Sequence, residues 1–165
     1  NLIGPLLNPV RPDYQMVGVF DGGLTGPFAN ILGRLGRKRA WAVHGSAPEG
    51  VGIDEISLSG TTAVAEWDGK EARSFDLDPT KLGLELAGID LLRGGNPVEN
   101  AAILTSILDG SERGAMRDIV ALNAAAAFTI CGLTRDIGEG LNLAGEVIDD
   151  GRAMAKVKAL RAFTV

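Results

Sequence analysis

Residues 15–20 (QMVGVF) form a short apolar run that stops at Asp21-Gly22-Gly23, the pattern of a buried strand. From Thr25 the period lengthens, and Phe28, Ile31, Leu32 and Leu35 fall on one face of a helix that Gly36 ends. Residues 39–44 (RAWAVH) predict a second strand. Strand, helix and strand with short joints make a βαβ unit, whose strands pair in parallel through a right-handed crossover. A glycine-rich loop over 45–53 follows, and across 55–77 the period falls to two. Ile56 and Leu58 alternate with Ser57 and Ser59, and residues 62–67 then meet residues 70–77 across Asp68-Gly69. An Asp-Gly pair between alternating runs predicts a β-hairpin with a type I′ turn, in which both turn residues take positive φ.

The rest of the chain reads as helix. Asn96-Pro97-Val98-Glu99 supplies an N-cap, a proline at the first helical position and a Glu at the third, a capping box that opens a helix to about Leu108. Residues 115–131 are apolar on nearly every side, which places that helix inside the molecule. A helix over 135–149 aligns Ile137, Leu141, Ala144 and Ile148 on one stripe, and a last one covers 152–162. The expected fold class is α/β: parallel strands, a β-hairpin extension and a C-terminal set of packed helices. The strands are few for so many helices, so the sheet is expected either to be small or to gain strands from elsewhere.

Composition sharpens this reading in a few places. With 165 residues, 45% hydrophobic and 22% charged, the chain suits one globular domain. Aromatics are only 5% against 23 Gly, so the core must be built from Ala, Leu, Ile and Val with many tight turns. The net charge of −5, without a basic cluster, argues against nucleic acid as a partner, because phosphate contacts need a basic face. The densest basic run, 34–39 (RLGRKR), reads as a solvated helix end. Cys131 is the single cysteine, which excludes a disulfide framework, and its apolar surroundings predict a buried thiol. No stretch is apolar for long enough to cross a bilayer, so the expectation is a cytoplasmic protein without membrane contact. The chain opens at Asn1 within an apolar, turn-punctuated segment and without Met, from which further sequence upstream is expected.

Asp54-Glu55 is the most interesting pair for chemistry. It follows the loop beyond the second strand, and ligands of open α/β sheets bind at the carboxyl ends of parallel strands. Two adjacent carboxylates can hold Mg²⁺, which takes one or two carboxylates with waters and phosphate oxygens; the plain alternative is a solvated acidic turn. Gly22-Gly23 with Gly26 precedes a helix N-terminus, as phosphate cradles do, yet it lacks the Lys and Ser/Thr of a P-loop and the spacing of a dinucleotide fingerprint. It reads as a βα turn. His44, the only histidine, shows no partner that would make it a general base and reads as structural or as a support behind the residues that touch a ligand. Arg117, Asp118 and Asn123, on the apolar helix, are assigned to satisfying neighbouring groups.

Several segments in order resemble the anthranilate phosphoribosyltransferase family: 1–9 (NLIGPLLNP), 15–19 (QMVGV), Val43-His44-Gly45, 52–60 (GIDEISLSG), Gly94-Gly95-Asn96-Pro97 with Asn100-Ala101-Ala102, Arg117-Asp118 with 122–126 (LNAAA), and Gly151 with Ala153. The resemblance spans the whole chain but only the C-terminal half or so of the family. It implies that residues 1–165 are the C-terminal part of a nucleoside phosphorylase/phosphoribosyltransferase-like α/β domain, with the helical domain and the glycine-rich phosphate loop upstream of Asn1. It implies transfer of phosphoribosyl from phosphoribosyl pyrophosphate to anthranilate, in tryptophan biosynthesis, with Mg²⁺ as cofactor and a homodimer as the full-length assembly. On that resemblance Asp54 and Glu55 are the metal-binding pair, and Asn8 and Pro9 border the anthranilate pocket. No catalytic residue is assigned. The chain by itself is expected to be inactive, and the alternative is a short non-catalytic homologue serving as a binding module.

Overall fold

A computed structural model describes residues 3–163; Asn1 and Leu2 of the NLIGPLLNP segment lie outside the described residues. The βαβ unit is present as β1 (Tyr14–Gly18), α1 (Thr25–Arg34) and β2 (Arg39–Ser46), with β1 and β2 parallel. A two-residue strand, β3 (Gly52–Ile53), folds back antiparallel onto the end of β2. The hairpin is β4 (Thr62–Trp67) and β5 (Ala72–Leu77), and β4 pairs antiparallel with β2, so the hairpin extends the sheet itself in the order β1-β2-β4-β5.

The alternation along β2 explains why RAWAVH is apolar throughout. Ala40 and Ala42 face α1, together with Val17, Ala29, Leu32 and Ala65, while Trp41 and Val43 face the other side with Val64 and Leu122. Both faces of the strand are buried, so no polar alternation is left to see. The α1 face uses alanines and a glycine because the helix sits close: a Cβ on Gly33 would stand 2.3 Å from the Trp67 ring.

The opposite face is covered by α3 (Ala115–Ile130), which follows α2 (Pro97–Leu108) and its capping box. The apolar circumference of α3 has a physical reason. Leu122, Ala126 and Ile130 pack on the sheet, whereas Ala121 packs with Ala144 and Ile148 of α4 (Ile137–Asp149). The two helices cross closely enough that a Cβ on Gly140 would lie 2.7 Å from the Ala125 carbonyl. The outermost helix, α5 (Arg152–Phe163), buries none of its residues.

Three sequence expectations are corrected. First, the hairpin connection is not a type I′ turn: Trp67 pairs with Ala72, leaving residues 68–71 as the loop, and only Gly69 among them has positive φ. The Asp68 carboxylate accepts from the amides of Lys70 and Glu71 at 2.9 and 3.0 Å, which closes the loop with Asp68 in an ordinary conformation. Second, residues 56–59 are not a strand with one wet face; Ile56, Ser57, Leu58 and Ser59 are all buried. Third, Cys131 is exposed, because α3 stops there and Gly132 turns the chain with φ of 73°.

Candidate active site

The acidic pair owes its position to two glycines beneath it. The Asp54 carbonyl lies over Gly18 so closely that a Cβ there would be 1.5 Å from the oxygen, and the Glu55 carbonyl lies over Gly45, where a Cβ would be 2.5 Å away. Gly18 ends β1 and Gly45 lies near the end of β2, so the loop crosses the sheet at its carboxyl edge. Only glycine permits two backbones to approach like this.

Residues 56–59, immediately after the pair, anchor it. Ile56 and Leu58 are fully buried in the core beneath α3. Their segment has no strand partner, so side chains satisfy its backbone. Asn123 of α3 accepts from the Ile56 amide at 3.1 Å and donates to the Ile56 carbonyl at 3.0 Å. Thr62 Oγ1 accepts from the Ser57 amide, the Ser57 hydroxyl accepts from the Ser59 amide and donates to the Ser46 carbonyl, and the Leu58 carbonyl accepts from the Ala87 amide. Asn123→Ala would strip two Ile56 groups of their partners at once. At about 1–3 kcal/mol for each unsatisfied buried group, partly relieved by water, the expected loss is about 2–4 kcal/mol. Urea unfolding with an unchanged slope measures it; a loss below about 0.5 kcal/mol would show that the clasp is dispensable.

Asp54 and Glu55 themselves are exposed, and among the described residues neither carboxylate engages in an ion pair or hydrogen bond. Glu55 lines a cavity of about 570 Å³ with Ile53, Ile89, Leu92, Arg93 and Asn123; Asp54 stands outside it. The donor set suits a hard cation. Two unpaired carboxylates offer oxygen ligands, and no His or Cys joins them, so the pair fits Mg²⁺ and not a soft metal. Among the described residues no group of three or more acidic, His or Cys side chains could cage an ion, so a cation here must draw further oxygens from water or a bound substrate.

The remaining sequence candidates fall into place around this edge. His44 Nδ1 donates to the Val19 carbonyl at 2.7 Å, and the ring wedges between Gly22 and Gly52, where a Cβ would be 3.4 and 2.6 Å from it. It props the loops apart, as a structural histidine. In the Gly22-Gly23 turn the Gly23 amide is spent locally on the Asp21 carboxylate at 2.8 Å, and the Gly22 carbonyl accepts from the Thr25 hydroxyl. Arg117 pairs with Asp149 at 3.0 Å, and burial pushes the Asp118 carboxyl above its ordinary range, with Arg117 opposing the shift.

Asn8 and Pro9 are not brought to this site. The Asn8 side chain accepts from the Val10 amide at 3.0 Å within its own turn. The turn shares a cleft with Arg34, Leu35, Gly36 and Arg37, at the amino ends of β1 and β2. A five-residue strand separates the two ends, about 15 Å at roughly 3.3 Å per residue. Sequence reasoning missed the specific clasp of Asn123 and the approach of Arg93 to the Glu55 cavity. The Gly94-Gly95 pair just after Arg93 is a signal that could have singled out that loop.

Residues 1–154 match the family described as "Glycosyl transferase family, a/b domain". The chain is 47% identical over 164 residues to an anthranilate phosphoribosyltransferase of Caulobacter sp. (strain K31), covering 99% of this chain and 46% of that protein. It is 45% identical to that of Phenylobacterium zucineum (strain HLK1), covering 99% and 47%. Among solved structures, it is similar to the anthranilate phosphoribosyltransferase of Thermus thermophilus, with a TM-score of 0.87 and 41% identity over 98% of this chain and 46% of that one. It is also similar to the Saccharomyces cerevisiae enzyme in complex with PRPP and Mg, with a TM-score of 0.81 and 27% identity over 94% and 44%. The chain thus spans about half the length of the relatives it matches.

Proposed function

Because the chain belongs to the glycosyl transferase family through its a/b domain, we propose that it supplies the C-terminal α/β portion of an anthranilate phosphoribosyltransferase. In this reading the longer protein is a cytoplasmic homodimer that moves phosphoribosyl from phosphoribosyl pyrophosphate to the amine of anthranilate, in tryptophan biosynthesis, and releases pyrophosphate. The relatives named above support it, and among the described residues no helix is long and apolar enough to cross a membrane. The observation that carries it is the pair of unpaired carboxylates of Asp54 and Glu55, whose backbone carbonyls lie over Gly18 and Gly45 at the carboxyl edge of the sheet.

The chemistry follows from that placement. As pyrophosphate departs, the ribose carbon gains positive character and negative charge collects on the leaving oxygens. Mg²⁺, when bound, neutralises that charge. The two carboxylates would hold the cation, and the core anchors of Ile56 and Leu58 keep them in place, so little reorganisation is needed as the charge develops. Ile53, Ile89 and Leu92 form an apolar wall beside Glu55 in that cavity. Nothing in this half is assigned as a general base.

The proposal extends to Asn8 and Pro9 on family resemblance alone. Their turn lies at the amino end of β1 and the acidic pair at its carboxyl end.

The test uses the full-length protein and the 165-residue chain side by side. In the full-length protein, Asp54→Asn and Glu55→Gln are each expected to lower kcat by about 10²–10³-fold and to raise the Mg²⁺ concentration needed for half-maximal rate. The 165-residue chain alone is expected to turn over no anthranilate. Undiminished activity in both variants would overturn the metal assignment, and a full-length wild type without transferase activity would favour the binding-module reading.

A further inference from the structure

We infer that the cleft between residues 6–11 and the C-terminal end of α1 is an anion site for a phosphate-bearing small molecule. This does not rest on the transferase reading, and the cleft lies at the opposite end of the sheet from Asp54 and Glu55. Its volume is about 610 Å³, within the range of small-molecule sites. Three arginines are among its lining residues: Arg11, Arg34 and Arg37.

Arg37 is the decisive residue. It is only 4% exposed, yet among the described residues its side chain meets no carboxylate. Its Nε donates to the Gln15 side-chain oxygen at 2.8 Å and its Nη1 to the Leu35 carbonyl at 3.4 Å, both neutral acceptors. A buried charge without a counter-ion is costly. The next two residues show how this chain ordinarily treats a cation: Lys38 pairs with Asp13 at 2.8 Å and Arg39 with Glu66 at 2.6 Å. Acids are in excess over the whole chain, with a net charge of −5, but none is placed in this cleft. Arg11 and Arg34 likewise form no ion pair or side-chain hydrogen bond among the described residues.

The helix terminus accounts for part of this charge only. Arg34 sits in the last turn of α1, where the macrodipole presents roughly half a negative charge. Three guanidinium groups exceed that several-fold. The excess calls for a multiply charged anion in place of a single carboxylate, and guanidinium forks match phosphate oxygens in geometry. Leu6, Leu7 and Leu35 form an apolar wall beside the cations, which leaves room for a non-polar part of such a molecule.

The probe is inorganic pyrophosphate, titrated calorimetrically into the 165-residue chain with a chelator present, so that no divalent cation serves the acidic pair. Binding is expected, weakening as salt is raised. The double variant Arg11→Gln/Arg34→Gln alters two exposed side chains without partners, so its fold is expected to hold, and circular dichroism verifies that. Its affinity for pyrophosphate is expected to fall by about tenfold or more, from the loss of two charge-assisted contacts. No binding by the wild type up to about 10 mM, or equal binding by the folded double variant, overturns the site. If benzoate, with one negative charge, binds as tightly as pyrophosphate, the phosphate assignment falls.

Discussion

Arg39→Met is expected to destabilise the chain by about 3–5 kcal/mol, the usual consequence of removing one partner from a buried ion pair. Glu66 on β4 lies opposite Trp41 on β2 and is buried at 7% exposure. Its Oε1 accepts from Arg39 Nε at 2.7 Å and from Trp41 Nε1 at 3.1 Å, while Arg73 approaches the other oxygen at 3.7 Å from an exposed position. Without Arg39 the carboxylate stays in the core with one neutral donor and a distant cation. Arg39 also donates to the Thr129 carbonyl at 2.7 Å, so the substitution unties the sheet from the last turn of α3. Denaturant unfolding gives the loss directly. The double variant Arg39→Met/Glu66→Gln is expected to recover much of it, since the uncompensated charge is gone. A single variant within about 1 kcal/mol of wild type would mean that water or Arg73 compensates Glu66, and the ion pair would not be a structural requirement.

Gly18→Ala is expected to cost about 3 kcal/mol and to displace the acidic pair. An added Cβ would be 1.5 Å from the Asp54 oxygen and 2.3 Å from its carbonyl carbon, both backbone atoms that no rotamer change can move aside. Either β1 must leave its pairing with β2 or the loop must lift from the sheet. Lifting the loop moves both carboxylates, and a misplacement of about 1 Å in catalytic geometry is worth about 10²-fold in rate. In the full-length protein this variant should therefore lose Mg²⁺-dependent turnover along with stability. Gly26→Ala is the control: nothing lies within 4 Å of the added Cβ, and the position is helical, so stability should hold or rise. Equal behaviour of the two variants would show that the contact at Gly18 does not position the loop.

Local pattern was enough for much of this fold. The βαβ unit, the capping box at Asn96 and the four later helices depend on periodicity and on short-range caps, and those signals lie within a few residues of one another. The sandwiched position of α3 was legible because a helix apolar on every side has no face to offer water. The acidic pair was legible as a candidate from its place after a parallel strand, and the family resemblance made the candidate specific.

Features that the pattern misread were decided partly by partners far away in sequence and partly by local hydrogen bonds and helix ends that periodicity does not show. The alternation of Ile56-Ser57-Leu58-Ser59 looks like a half-wet strand, but Asn123 and Thr62 satisfy the backbone of this segment and bury it whole. Asp68-Gly69 has the composition of a type I′ turn, yet hydrogen bonds from the Lys70 and Glu71 amides to the Asp68 carboxylate select a longer loop. Cys131 sits in an apolar run whose helix ends one residue too soon to bury it. The separation of Asn8 and Pro9 from Asp54 and Glu55, and the uncompensated charge of Arg37, appear only once the two ends of the sheet exist. Sequence by itself determined the elements and the residue types available for chemistry; the tertiary structure decided which of them meet, because that depends on backbone contacts across the sheet that no short-range spacing encodes.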